Sequence, residues 1–214
     1  MMLRSLCIGL ASFAITAQAN AGSHLWRFSE FYSSPDTRIQ FIEMEEIGGS
    51  NLETGIEFHW FETSVFNHNH SQLLGTPLPV GTAYKKFLVG SQSYASLPGV
   101  PAPDYILPDG VLHPSGDTIH WWFYQTLVIP PNTMPADGTN SLHLISAANP
   151  GLGFSTGPNS PTNFAGQTGT VVLPFEAVVP ASSRLGLVAS IALLLLATWA
   201  VGGLRVTRAG FHST

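Results

Sequence analysis

From Leu185 to Leu204 the chain runs for twenty residues without a charge. At about 1.5 Å of rise per residue, a helix of that length covers roughly 30 Å, the hydrocarbon thickness of a bilayer. The segment holds the Leu193–Leu196 run, Ala, Val and Ile, with Gly186, Gly202 and Gly203 near its ends. A buried helix of a globular protein keeps a polar face, and this one has almost none. It is expected to cross a membrane once, which confines any globular fold to the residues before it.

The opposite end has the pattern of a secretory leader. Met1–Arg4 supplies a short positive start, and Leu6–Ile15 is apolar but short for a span. Ala17-Gln18-Ala19 and Ala19-Asn20-Ala21 both present small residues for cleavage. Cleavage after Ala19 or after Ala21 is expected, the latter leaving Gly22 as the first residue. Cys7 follows Leu6 rather than a small residue, which argues against a lipoprotein. As Cys7 is the only cysteine, the processed protein has no disulfide, a usage that suits a bacterial envelope better than a eukaryotic secretory pathway. Arg205 and Arg208 lie just beyond the apolar segment and belong on the cytoplasmic side, with Arg184 weakening the asymmetry. The expected layout is a signal peptide at 1–21, a domain at 22–175, a linker at 176–184, a transmembrane helix at 185–204 and a cytoplasmic tail at 205–214. Localisation to the cell envelope, membrane-anchored in type I topology or released to the surface by processing, follows from that layout.

Gly22 to Pro180 spans 159 residues, enough for one domain with a real core. All 13 acidic residues fall in it against four basic ones, Arg27, Arg38, Lys85 and Lys86, a net charge of −9 with histidines neutral. Such a surface excludes nucleic acid and anionic lipid as natural partners.

The hydrophobic period is two. Gly55–Glu62 places Ile56, Phe58 and Trp60 on one face and Glu57 and His59 on the other, which predicts a strand. Thr118–Ile129 alternates through Ile119, Trp121, Phe123, Leu127 and Ile129, with Trp122 and Tyr124 opposite, and is expected to be a long central strand. Shorter strands are expected at Leu25–Tyr32, Arg38–Glu46, Tyr84–Val89, Ser141–Ile145 and Thr170–Phe175. The change of phase between Phe41 and Ile42 implies a bulge or burial on both faces. Turn signals stand between them at Ser34-Pro35-Asp36, Gly48-Gly49, Pro108-Asp109-Gly110, Ala136-Asp137-Gly138 and Asn149-Pro150-Gly151. With no soluble stretch of helical period, the pattern predicts an all-β sandwich.

Several segments resemble the bacterial lamin-tail-like domains. Within Leu25–Glu46 the matching residues are Phe28, Glu30 and Phe31, then Phe41, Ile42, Glu43 and Met44. Phe87–Leu97 with Pro103–Gly110 resembles the middle of the exported versions, and Asp137–Leu144 with Asn159–Gly166 their closing part. The resemblance implies an immunoglobulin-like antiparallel β-sandwich that serves as a binding or attachment module and has no catalytic residues to carry over. The aromatic- and histidine-rich region Phe58–Gln72 departs from the pattern. The C-terminal layout resembles the PEP-CTERM class of sorting signals, with Val179-Pro180 at the motif position, although the second proline and acidic residue of the usual form are missing. That resemblance implies an exosortase-type processing enzyme as a partner; a plain transmembrane anchor is the competing reading.

Candidate chemistry is sparse. His68 and His70, in an extended segment, would face the same side and could supply two imidazoles to zinc or copper, with Glu57, His59, Glu62 or His120 as guessed third ligands. Two histidines alone are read as a polar hairpin loop, so no metal and no cofactor is expected. Ser115, Asp117 and His120 are adjacent in sequence, whereas triad members meet in space, and no nucleophile elbow is present. Asp36, Asp104, Asp109, Asp117 and Asp137 suit turns. Trp60, Trp121, Trp122 and Tyr124 are either core residues or a stacking face for sugar rings. The expectation is a non-catalytic envelope, surface or extracellular-matrix protein; the alternative is a metal-dependent or carbohydrate-binding one, with a surface polysaccharide as partner.

Overall fold

The computed structural model describes residues 22–64 and 74–173. The chain divides into two compact units, and all described residues belong to the first, which ends at Leu173. The leader with Ala19 and Ala21, the His68–His70 pair, Val179-Pro180, the apolar segment 185–204, Arg205 and Arg208 lie outside the described residues. Among the described residues no helix is long and apolar enough to cross a membrane.

Among the described residues nine strands form two sheets: β1 (Trp26–Ser33), β2 (Gln40–Glu46), β3 (Phe61–Glu62), β4 (Lys86–Ser91), β5 (Tyr105–Leu107), β6 (Asp117–Trp121), β7 (Gln125–Ile129), β8 (Asn140–Leu144) and β9 (Phe154–Pro158). The larger sheet has the order β5-β4-β2-β1-β8-β9 and the smaller β3-β6-β7. Side chains of both sheets share one apolar cluster, with Trp26, Phe28, Phe31, Ile42 and Phe87 facing Phe61, Ile119, Trp121 and Leu127. The architecture is therefore a β-sandwich, as the alternation and turn spacing predict. All pairings are antiparallel except β4 with β5, which is parallel.

The details depart from the sequence pattern in several places. β1 carries a bulge: the register skips Ser29, so Phe28 and Phe31 both face the core. β2 is buried on both faces, one of the two readings that the change of phase between Phe41 and Ile42 allows, with Ile42 and Met44 in the sandwich core and Phe41 in a second cluster with Tyr32, Leu88, Tyr94 and Val171. Gly55–Glu62 is mostly not a strand; the His59 N–H bonds to Ile56 O in a tight turn, leaving only Phe61–Glu62 to pair. Thr118–Ile129 is a hairpin, and Thr170–Leu173 is not a strand. β5 and β9 went unread because three apolar residues and FSTGP carry too little period.

The second face of the larger sheet is covered by the one-turn helix α1 (Gln92–Ala95) and by residues 159–171. Gly90 permits this approach, since a Cβ there would stand 2.5 Å from the Tyr94 ring. Beneath the cover, Glu30 and Glu43 are fully buried and directly opposite each other across β1 and β2. Like charges in that position repel, so each is given its own donors. Glu30 accepts from Ser141 Oγ at 2.6 Å and from Ser160 N and Oγ at 2.8 and 2.9 Å. Glu43 accepts from Lys86 Nζ at 2.6 Å, Ser29 Oγ at 2.8 Å and Thr162 N at 2.8 Å. Burial pushes the Glu43 carboxyl up while Lys86 pulls it back. Burial by itself would lower Lys86, but Glu43, Glu45 and Glu30 together hold it above the ordinary lysine value. Asp104 Oδ2 adds a third clasp, accepting from Leu88 N at 2.8 Å and Phe164 N at 2.9 Å. The two glutamates thus fasten the closing segment to the sheet.

Burial also pushes the Tyr32 hydroxyl, which donates to Gly138 O at 2.9 Å, up to about 12, and raises Tyr94 and Tyr105. A tyrosine whose folded value lies above its unfolded value of 10 stabilises the fold fully below pH 10 and loses that contribution as pH rises. For Tyr32 the difference corresponds to roughly 2–3 kcal/mol. Denaturant midpoints are therefore expected to fall steeply between about pH 10 and 12, and less steeply in Tyr32→Phe; equal slopes would refute the assignment.

Candidate aromatic binding surface

Strands β6 and β7 pair from Asp117↔Ile129 to Trp121↔Gln125, so the chain reverses over Trp122, Phe123 and Tyr124. None of these three is a customary turn residue. Trp122 takes φ 45°, the left-handed region where a bulky side chain is strained. The turn is held by Tyr124 N–H on Trp121 O at 3.0 Å and Trp122 N–H on Trp60 O at 3.1 Å.

The reversal divides the sequence-predicted aromatic cluster in two. Trp121 is wholly buried against Phe61, with ring centroids 4.9 Å apart, and is core. Trp122 packs on Trp60 at 3.9 Å, and Phe123 meets both at 5.3 and 5.8 Å. Phe123 is 81% exposed, Phe58 65% and Tyr124 38%. Phe123, expected to face inward, points to solvent; the near-perfect alternation hid a three-residue loop. The result is an exposed aromatic tip of the kind that soluble proteins reserve for contacts.

His59, expected on a solvated face, lies beneath the tip and is 7% exposed. Its ring stacks between Trp121 at 5.2 Å and Trp122 at 4.4 Å, with Tyr124 at 5.6 Å. Nε2 is 2.6 Å from Ser23 Oγ, and Nδ1 is buried without a hydrogen-bond partner. Burial lowers its proton affinity and Glu57 raises it somewhat, the net direction being down. At neutral pH the imidazole is therefore uncharged.

The tip stands at the end of the sandwich where β1 begins. Leu173 lies at the other end: its side chain sits against Gly138, beside Pro35 of the β1–β2 turn.

The other sequence candidates are structural or dispersed. Among the described residues no three His, Cys, Asp or Glu side chains are grouped to hold a metal ion. His120 Nδ1 pairs with Thr126 Oγ1 at 2.9 Å across the hairpin. Asp117 is occupied by Ser64 N–H at 2.7 Å and His113 N–H at 2.9 Å, which organises a loop rather than a catalytic base. Asp36 and Asp137 accept backbone N–H groups two and three residues on, the turn role expected of them. A groove of about 350 Å³ beside Tyr84 is lined by Glu45 and Glu46, but Glu46 is engaged by the N–H groups of Gly48, Gly49, Ser50 and Tyr84.

Comparison with protein-family models, with curated proteins and with solved structures finds no match for this chain.

Proposed function

We propose that the chain is an exported, non-catalytic component of a bacterial cell envelope or surface matrix, held or sorted through its C-terminal apolar segment, and that it makes contact through the aromatic tip. An immunoglobulin-like, lamin-tail-like module is the family reading that accords with the sandwich. The observation that carries the proposal is the reversal at Trp122–Tyr124. The turn is strained and all-aromatic where Asn-Gly would form a hairpin at lower cost, and strain of this kind accompanies binding surfaces.

The favoured occupant is a neutral surface polysaccharide. Flat aromatic faces stack on sugar rings, and a domain of net charge −9 disfavours anionic chains. Whether that segment is kept or cleaved by an exosortase-type enzyme is read from the C-terminal mass of the protein in membrane and released fractions.

Binding is tested by co-sedimentation with insoluble neutral glycans and with glycans of the native surface. The double variant W122A/F123A is expected to lose at least tenfold in affinity while keeping its thermal midpoint within a few degrees. Equal retention of wild type and variant would remove the tip from the function. Concentration-dependent self-association abolished by the same variant would replace the polysaccharide by a second copy of the chain.

A further inference from the structure

The residues after Ala21 are built into the domain. Gly22 O accepts the Gly55 N–H at 3.1 Å, and Ser23 is buried with its hydroxyl on His59. Leu25 N–H donates to Glu53 Oε2 at 3.1 Å, and Trp26 Nε1 donates to Glu53 O at 2.8 Å. Glu53 is thereby held under the N-terminal corner at 3% exposure.

A carboxylate that deep requires compensation. Glu53 Oε2 has one backbone donor, whereas Oε1 faces only the exposed imidazole of His24, at 3.5 Å. Burial lowers the Arg27 guanidinium and Glu53 partly offsets this, but Arg27 Nη1 is turned to the carbonyls of His24 and Trp26. The Gly22 Cα lies beside Oε1, since a Cβ added to it would stand 2.6 Å from Oε1 and 3.1 Å from His24 Nδ1. The Gly22 nitrogen is bonded to the same Cα. With its carbonyl fixed by Gly55, this nitrogen, once free, can swing toward the carboxylate about a single bond.

We infer that the leader is removed between Ala21 and Gly22, and that the α-ammonium group so released pairs with buried Glu53. Water is added across the Ala21–Gly22 amide by a signal peptidase; the Ala21 carbonyl carbon becomes a carboxylate and the Gly22 nitrogen an ammonium. Of the two cleavage sites the sequence offers, only the one after Ala21 places the new charge at Glu53. Cleavage after Ala19 leaves Asn20-Ala21 in front of it. The unprocessed chain has a neutral amide there, so processing completes the corner on which His59 and the aromatic tip rest. This inference depends on the export reading.

The full chain is expressed with its leader in an exporting bacterium and extracted in detergent. The mass of the N-terminal peptide and the rate at which acetic anhydride acetylates the α-amine at pH 8 are then measured. The expected results are an N-terminus at Gly22 and at least tenfold slower acetylation than for an unstructured peptide of the same sequence. In Glu53→Gln the ordinary rate should return. Because that variant can also unfold the corner, a second one inserts a serine between Ala21 and Gly22, which should keep the β-sheet circular dichroism yet react at the ordinary rate. An N-terminus at Asn20 overturns the inference and leaves export standing. An intact Met1 overturns both. Ordinary reactivity of a Gly22 terminus overturns the ion pair.

Discussion

Replacing Glu43 with alanine is expected to lower unfolding free energy by roughly 3–5 kcal/mol, the range for removing one partner of a buried ion pair. The carboxylate is the common acceptor for Lys86, Ser29 and the Thr162 N–H; when it goes, Lys86 and the Thr162 N–H lose that acceptor, while Ser29 keeps the Glu43 backbone carbonyl at 3.1 Å. Relief of repulsion with Glu30 offsets only part of this, because Glu30 has its own donors in Ser141 and Ser160. Glu43→Gln should lose less, as the amide oxygen still accepts while the ionic component disappears. Urea unfolding followed by tryptophan fluorescence measures both. A loss below about 1 kcal/mol for the alanine variant would mean that the closing segment is held by its apolar contacts, and that the buried pair is incidental.

Trp121→Ala is the second large effect, expected to cost about 3–5 kcal/mol. The indole is wholly buried at the junction of the sheets, touching Phe61 on its own sheet and Phe87 on the other, with centroids 4.9 and 6.1 Å away. No neighbour can fill the void, because β6 holds Trp121 in register with Gln125, whose Oε1 is committed to Phe28 N–H at 2.9 Å. Phe123→Ala, two residues on, should change stability by no more than about 0.5 kcal/mol, since that ring is 81% exposed. The pair is a direct test of the hairpin: were the segment one continuous inward-facing strand, both truncations would be severe. Comparable losses would therefore sink the assignment of Phe123 to the contact surface.

The class of fold and most of its punctuation are legible in the residues alone. Period two, five turn signals between strands and the lack of helical period all report local backbone preference; the turn signals hold in the sandwich, while period two holds for the class of fold and fails at Gly55–Trp60 and at Trp122–Tyr124. The turn roles of Asp36 and Asp137 were legible for the same reason, since their partners lie two or three residues away. Distant pairings were not legible. Glu43 and Thr162 are 119 residues apart, Glu30 and Ser160 130, and no local pattern announces that a carboxylate will be spent on so remote a backbone.

Which aromatic residues are core and which are surface is set by the packing of the whole domain. Alternation through Thr118–Ile129 is nearly complete in the sequence, with Gln125 the one polar residue on the apolar face, yet the backbone turns over at Trp122. The Trp60 carbonyl takes the Trp122 N–H there, and the opposed strand faces bury Trp121 while leaving Phe123 outside. Similarly, Ser29 carries no bulge signal of its own; its place outside the ladder follows from the need to put both Phe28 and Phe31 into one core. Side-chain identity sets the period, but where the period is broken depends on the neighbour across the sheet, and that neighbour is fixed by packing over the whole domain.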